Sequence, residues 1–422
     1  MNRANGVGRL QGRSLSRRGF LRAAGGTALG SAGLVLAACS GGGNPEAAAT
    51  ATISRPGSAA IIGPVEQQRQ RRMGTGLIAW DPTKTLDGLT LFAASLGTGA
   101  YLVDMEGQVV HTWDITEAGG ESSVWYVDLL ENGNLFAIVH KATGEAPPFV
   151  FQGGIMMEIA WDGEIVWQFE DPDQHHDARL LPNGNLLLLR AEQVPPDIAA
   201  RVQGGVPGTE GNSRWTDWVE EVTRDGETVW EWHAWEHLDP AVDIVNPQDT
   251  RLEWTHGNSV DQLPNGDAII SFRNVNTVVI ADRETGEVSW KLTAPTVAQQ
   301  HDAHHLPNGN IMIFDNGAHR TDNALPYSRV IEVDPATSEI VWEYRDPFFM
   351  NFLSPFISGA QRLPNGNTLI TEGNFGRIFE VTQTGELVWE YVSEFFTVNP
   401  ILGENNGIFR AFRYADDAYQ RS

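Results

Sequence analysis

One phrase is written into this chain six times: a tight turn with an apolar, strand-like run on either side. The turns stand at Leu86-Asp87-Gly88, Glu131-Asn132-Gly133, Pro182-Asn183-Gly184, Pro264-Asn265-Gly266, Pro307-Asn308-Gly309 and Pro364-Asn365-Gly366. Each copy closes on a tryptophan: Trp113, Trp167, Trp230, Trp290, Trp342 and Trp389. In five copies a second turn precedes that tryptophan by four residues, as at Asp162-Gly163, Asp225-Gly226 and Thr384-Gly385. Asn-Gly and Asp-Gly supply the backbone angles that tight hairpins need. A period of about 40 to 60 residues built from two hairpins is the signature of propeller blades. The expected fold class is therefore all-β, a six-bladed β-propeller of four-stranded antiparallel blades.

The N-terminus carries different information. Ser16-Arg17-Arg18-Gly19-Phe20-Leu21-Arg22 precedes an uncharged run ending Leu36-Ala37-Ala38-Cys39. Twin arginines before a weakly apolar stretch read as a Tat export signal over residues 1–38. The end of the run matches a bacterial lipobox, which would make Cys39 the lipidated first residue of the mature chain. Residues 39–72, rich in Gly, Pro, Ala and Gln, read as a flexible tether spanning about 30 Å, and 73–422 as the propeller. The expected location is the extracytoplasmic face of a bacterial membrane, held by the lipid. Cys39 is the one cysteine, so no intramolecular disulfide is available and stability must come from the core.

Net charge is −25 for the whole chain. Residues 1–38 hold six arginines and no acid, leaving 23 basic against 54 acidic residues, or −31, in the mature chain. Such a surface repels nucleic acid and anionic lipid headgroups. Any anionic substrate would need a local positive pocket.

Register points to one. Taking the strand before each Asn-Gly turn as innermost, both tight turns of a blade fall on the bottom rim. The longer connections, with insertions after Lys141, Arg190 and Asn316, fall on the top, where sites are usually built. Six residues before the first residue of each turn, at the top of the innermost strand, stand Trp80, Trp125, His176, Asn258, His301 and Ser358. His256 lies two residues before Asn258, on the same face. Seven residues past the turn glycine, the next strand returns His140, Arg273 and Asn316 to the same rim. Thus His176, His256, Asn258, Arg273 and His301 should converge on the axis, a cluster of titratable groups of the kind that marks sites. His175 is out of phase with His176, although a bulge would reverse that. His304 should face away, His305 should lie deeper, and His233 and His237 belong to outer parts of blade three. The closing tryptophans read as blade-to-blade packing.

At the level of whole phrases the chain resembles the bacterial arylsulfate sulfotransferases that work without PAPS. The likeness runs from Asp87-Gly88-Leu89-Thr90-Leu91-Phe92 through His111-Thr112-Trp113, His176-Asp177, Trp254-Thr255-His256-Gly257-Asn258-Ser259 and Gln300-His301-Asp302 to Phe409-Arg410-Ala411-Phe412-Arg413-Tyr414. Carried over, it implies that His301 is a nucleophile that becomes transiently sulfated and that Arg273 binds sulfate. It also implies that His256 and Asn258 flank the same group and that His176 completes the set. The implied substrates are an aryl sulfate donor and a phenolic acceptor, with no cofactor and no metal. Some members carry an additional β-domain and a disulfide, for which this chain has no room, and a homo-oligomer stays open. The residue types suit the chemistry on their own account: a guanidinium fork grips two sulfate oxygens, and a neutral imidazole can attack while its neighbours move the phenol proton. Two other readings stand beside this one. Converging histidines could ligate zinc or copper, against which Arg273 argues. Alternatively, closing phrases such as Ala281-Asp282-Arg283-Glu284-Thr285-Gly286 resemble those of quinoprotein propellers, or of propellers that only bind ligand.

Overall fold

Leu186, Leu187, Leu188 and Leu189 are all fully buried, as a strand sandwiched between two neighbouring sheets must be. The computed structural model describes residues 60–68, 70–116, 123–141, 153–209, 214–399 and 403–415, and in it six such sheets form a β-propeller. Counted outward from the axis, blade two is Ser123–Leu129, Leu135–His140, Gly154–Ile159 and Ile165–Asp171. Blade three is Gln174–Leu180, Leu186–Gln193, Trp215–Val222 and Thr228–His233, and blade four is Gly257–Gln262, Ala268–Phe272, Thr277–Ala281 and Val288–Thr293. Blade five is His301–His305, Ile311–Asp315, Arg329–Asp334 and Glu339–Tyr344, and blade six begins Gly359–Arg362, Thr368–Glu372, Arg377–Val381 and Leu387–Val392.

Blade one is assembled from both ends of the domain. Its innermost strand is Ile408–Tyr414, paired antiparallel with Leu89–Ala94, and Gly99–Val103 and Val109–Asp114 follow outward. This corrects the place expected for Trp80. Gly76–Trp80 is instead a fifth strand on the outer edge of blade six, with Trp80 opposite Trp389, far from the axis. Leu86-Asp87-Gly88 is thus no hairpin but the passage from the edge of blade six into blade one. A Cβ on Gly88 would stand 2.2 Å from the carbonyl oxygen of Tyr414, so only glycine passes there. Counting phase from a turn works where the turn joins two strands of one sheet, and ring closure breaks that condition here.

The chain before Gly76 is also bound to blade six. Ile61–Ile62 pairs in parallel with Gly76–Trp80, Gln67 exchanges two hydrogen bonds of 2.9 Å with the backbone of Leu387, and Arg72 meets Glu390 at 2.6 Å. The stretch 60–72, expected as tether, is accordingly fastened to the propeller in its described part. The expected signal, Cys39 and the remaining tether lie outside the described residues. Among the described residues, no helix is long and apolar enough to cross a membrane.

Apolar clusters fill each of the six gaps between blades, for example Leu187, Leu189, Trp232, Val260, Ile270 and Phe272 between blades three and four. Each such side chain contributes roughly 1.5–3 kcal/mol by burial. The bottom rim adds polar staples. In blade five Asn308 and Asn310 both donate to Oε1 of Glu332, at 2.8 and 2.6 Å, while Arg362 of blade six meets Oε2 at 2.7 Å and lies over Trp342. Equivalent Asn, Glu, Arg and Trp groups meet around Glu158, Glu221 and Glu380. The closing tryptophans donate from Nε1 to the next blade all the way round, from Trp113 to Ala160 through to Trp389, which reaches Met105 of blade one. They are joints between blades, as their position in the repeat requires.

Candidate active site

At the top of the inner strands the regular pleat breaks. Pairing shifts between Gln174 and Ala178, between Gly257 and Ser259 and between His301 and His304. His176, His256, Asp302, Ile357 and Ser358 all take positive φ, between 51° and 90°. Left-handed backbone costs a non-glycine residue about 1–2 kcal/mol, and such strain gathers where a fold holds functional groups in place. One consequence is that neighbouring residues no longer alternate between faces. His175 and His176 therefore meet, Nδ1 to Nδ1, at 2.7 Å.

The ring of His176 lies 4.6 Å from that of His256 and 6.2 Å from Trp125. Trp125 in turn stands edge-on to Phe409 at 5.6 Å and to His140 at 6.4 Å, forming an aromatic wall beside the histidines. His301 is buried and fixed at both nitrogens. Its Nδ1 is 2.7 Å from Oδ1 of Asn316, and the backbone N–H of Ile357 donates to Nε2 at 3.2 Å. Asn316 spends its NH₂ on the carbonyls of Ser354 and Ile357, at 2.8 and 2.9 Å. Its oxygen must then be the acceptor, so Nδ1 of His301 carries the proton and Nε2 holds a lone pair. Burial first, and the charge of Arg273 second, push the pKa of His301 down to about 3. His176 and His256 are held well below their ordinary value by burial and by neighbouring charges, Arg273 among them.

Arg273 reaches this cluster because its backbone N–H pairs with the carbonyl of His256 at 3.0 Å, just beyond the end of the sheet. Its guanidinium rests on Asn274 (Nε 3.2 Å, Nη2 3.0 Å) and Asp249 (3.3 Å), leaving Nη1 unengaged among the described residues. Asp249 also meets Nε2 of His319 at 3.0 Å. Two further carboxylates lie behind the histidines: Asp217, 2.9 Å from Nε2 of His175, and Glu253, 2.8 Å from Nδ1 of His256. In both contacts the oxygen is at ion-pair distance but off the line of the ring N–H, so each is electrostatic as it stands. Burial and the nearby Asp217 raise the pKa of Glu253 to about 8.

Asn258 is fully buried. Its amide donates to the carbonyl of Gln300 at 2.7 Å, which ties blade four to the residue before His301. Arg410, itself buried, joins Asp177 (3.0 Å) to Asp302 (2.9 Å). His304 is drawn to Asp302, with 3.8 Å between Nδ1 and Oδ2, and His305 to Asp261 at 2.8 Å. His233 and His237 are remote and stack on Trp218 and Trp232. A groove of about 800 Å³ lies at the outer edge of blades one and two. Its one histidine, His111, packs flat on Trp161 at 4.0 Å and serves the blade joint. Among the described residues, no three His, Cys, Asp or Glu side chains are set to hold a metal ion.

The arrangement thus offers an attacking nitrogen, a cation, two more imidazoles and an aromatic wall. The sequence profile of the family described as Arylsulfotransferase (ASST) matches residues 76–394, about three quarters of the chain. The chain belongs to this family. Membership supports a sulfotransferase enzyme with an aryl sulfate as donor and a phenol as acceptor. No curated protein matches the sequence. Among solved structures, the chain is similar to a protein of unknown function from Bacteroides caccae, with 14% identity, TM-score 0.49, and 78% of this chain and 100% of the other covered. It is also similar to the virginiamycin B lyase of Staphylococcus aureus (13%, 0.38, 64% and 70%) and to the hydrazine synthase of Kuenenia stuttgartiensis (11%, 0.44, 76% and 90%). None of these likenesses is close enough to carry chemistry across.

In this member of the family His176, His256, Arg273 and His301 come together as their phase in the repeat implied. Asn258 joins them as a brace of the backbone, closed to solvent. Sequence reading missed Asp217, Glu253, Asp249, His319 and Arg410. The first four stand on a third strand, a crossover and a loop, where no repeat position marks them. Arg410 does carry a signal: it sits in an apolar run left over after the sixth blade, as a closing strand must.

Proposed function

We propose that the protein moves a sulfuryl group from a phenolic sulfate ester to a phenolic acceptor through Nε2 of His301, without a nucleotide donor. The observation that carries this reading is the fixed protonation of His301. Asn316 holds the proton on Nδ1, so the lone pair is on Nε2, and the ring stays neutral throughout the working pH range. Arg273 is proposed to bind sulfate oxygens, with His256 and His176 flanking the group and Asn258 positioning the strand that carries His301. In the first step Nε2 gives up the hydrogen bond from the N–H of Ile357, its lone pair bonds to sulfur, and the S–O bond breaks with its electrons going to the aryl oxygen. A carboxamide oxygen is no base, so Nδ1 keeps its proton and the adduct is an N-sulfo-imidazolium, an activated donor for the second step. The N–H of Ile357, 3.2 Å from Nε2, is placed to donate to a sulfuryl oxygen of that adduct. Trp125 offers a face for the aryl ring.

The test is a burst. With 4-nitrophenyl sulfate and no acceptor, turnover should stop near one equivalent, and intact-protein mass spectrometry should find one added sulfonate. His301→Asn should lose the label and the transfer, by about 10⁴-fold or more. A labelled His301→Asn protein would place the nucleophile elsewhere. We propose also that the chain is exported folded by the Tat route and anchored through Cys39. Replacing Arg17 and Arg18 by Lys should retain it in the cytoplasm, and Cys39→Ala should free it from membranes. Fractions identical to wild type would overturn the anchor.

A further inference from the structure

We propose that Asp217 and His175 are positioning residues that load and unload a proton through His176, so that the three form a relay serving the phenol oxygen. The proposal rests on the sulfuryl-transfer reading above and adds two residues to it. Its basis is the chain of contacts: Asp217 Oδ1 to His175 Nε2 at 2.9 Å, then His175 Nδ1 to His176 Nδ1 at 2.7 Å. From there the ring of His176 faces His256 at 4.6 Å, within the electrostatic reach of Arg273 and His301. Asp217 is itself fixed, since its Oδ2 accepts the N–H of Gly257 at 2.7 Å and its own N–H donates to Thr255 at 3.1 Å. A histidine whose distal nitrogen meets a fixed group has its tautomer set at the other nitrogen. Here the group behind His176 is a second histidine, so the tautomer can switch.

The switch balances. Before donor cleavage His175 carries one proton from solvent and is an imidazolium beside Asp217. Its Nδ1–H points at Nδ1 of His176, whose proton is then on Nε2. As the S–O bond breaks, the aryl oxygen takes the Nε2 proton of His176, and His176 takes the Nδ1 proton of His175. His175 is left neutral with its remaining proton on Nε2, beside Asp217, and Nε2 of His176 is left with a lone pair. When the acceptor hydroxyl attacks sulfur, its proton goes to that lone pair, the S–N electrons return to His301, and the relay runs backwards. One proton is lent in the first half-reaction and recovered in the second. The adjacency of two histidines in sequence, read as an alternation of faces, thereby acquires a use.

The relay matters only when the departing or attacking oxygen needs a proton, and this gives a readout that mere loss of structure would not produce. Asp217→Asn and His175→Gln keep size and hydrogen-bonding capacity. In each variant the loss in the burst from 4-nitrophenyl sulfate should be smaller by about 10-fold or more than the loss with phenyl sulfate, because 4-nitrophenolate leaves unprotonated. Each should slow sulfation by phenyl sulfate, and transfer from sulfo-His301 to phenol, by about 10²-fold or more, the usual worth of a general acid or base. An equal loss with both donors, no loss with either, or loss of the nitrophenyl burst in both variants would overturn the relay. A wild-type protein without burst or label would instead overturn the sulfuryl-transfer reading, so the two failures are distinguishable.

Discussion

The glutamates of the bottom rim and Glu253 at the top are both buried, and they are held in opposite ways. At the bottom, burial alone would raise Glu158, Glu221 and Glu332, yet all three are held below the ordinary glutamate value. Two asparagine amides and an arginine outweigh the burial in each case. At the top, Glu253 has burial and a neighbouring aspartate against it, and its pKa stands near 8. The same residue type is held as an anion at one rim and keeps its proton up to about pH 8 at the other. What differs is the number of donors aimed at it. The bottom arrangement recurs in four blades and staples each to its neighbour, whereas the groups at the top occur once each, on strained backbone. Repetition here marks structure, and its interruption marks chemistry.

The contrast predicts activity loss without instability at the top. Arg273→Ala should lower sulfuryl transfer by about 10²–10³-fold, the scale of a lost charge-stabilising donor, while unfolding stability moves by no more than about 1 kcal/mol. Arg273→Lys should recover little of this, because a point charge cannot reproduce a two-pronged grip. Full activity with lysine, or a collapse in stability, would erase the distinction between the rims.

The bottom should behave in reverse. Glu332→Ala strands Asn308, Asn310 and Arg362 and should cost about 2–3 kcal/mol in urea unfolding, as loss of hydrogen bonds to a charged group does. The rate per folded molecule should stay that of wild type. A specific loss of transfer would show the staple reaching the site.

Dependence on pH separates the two kinds of glutamate. Because the folded pKa of Glu253 is raised, the folded protein binds more protons than the unfolded chain between about pH 4.5 and 8. Its contribution to stability is full below that window and is lost as pH rises through it, by up to about 1.4 kcal/mol per unit. His301 works in the other direction. Its lowered pKa favours folding above its ordinary pKa of 6.5 and is lost as pH falls towards about 3. The difference in stability between Glu253→Gln and wild type, measured by denaturant unfolding from pH 5 to 9, should therefore grow in favour of the variant up to about pH 8 and then level. A difference independent of pH would place Glu253 among the fixed anions.

Much of this was legible in the residues alone. Turns at Asn183, Asn308 and Asn365, followed by tryptophans at a set interval, specify hairpins and the joints between them, since both are local consequences of turn geometry and strand alternation. The phase of His176, His301 and Arg273 within the repeat follows from the same rule. Trp80 shows where the rule stops. Its strand looks like the first of six and is the last addition to the sixth, because closing a ring requires pairing between residues more than 300 apart in sequence.

The sequence by itself determined the blade count and the rim on which the histidines lie, the ring of His301 among them, both set by short-range periodicity. Only the tertiary structure decided how that ring is protonated and what stands behind it. Asn316 fixes the tautomer of His301 through its own bonds to Ser354 and Ile357. Asp217 and Glu253 reach the cluster from a strand and a crossover that carry no repeat signal. Bulges with left-handed residues turn His175 and His176 towards one another. Protonation depends on burial and on neighbours a few ångströms away, and those neighbours are set by how the blades pack, not by their order along the chain.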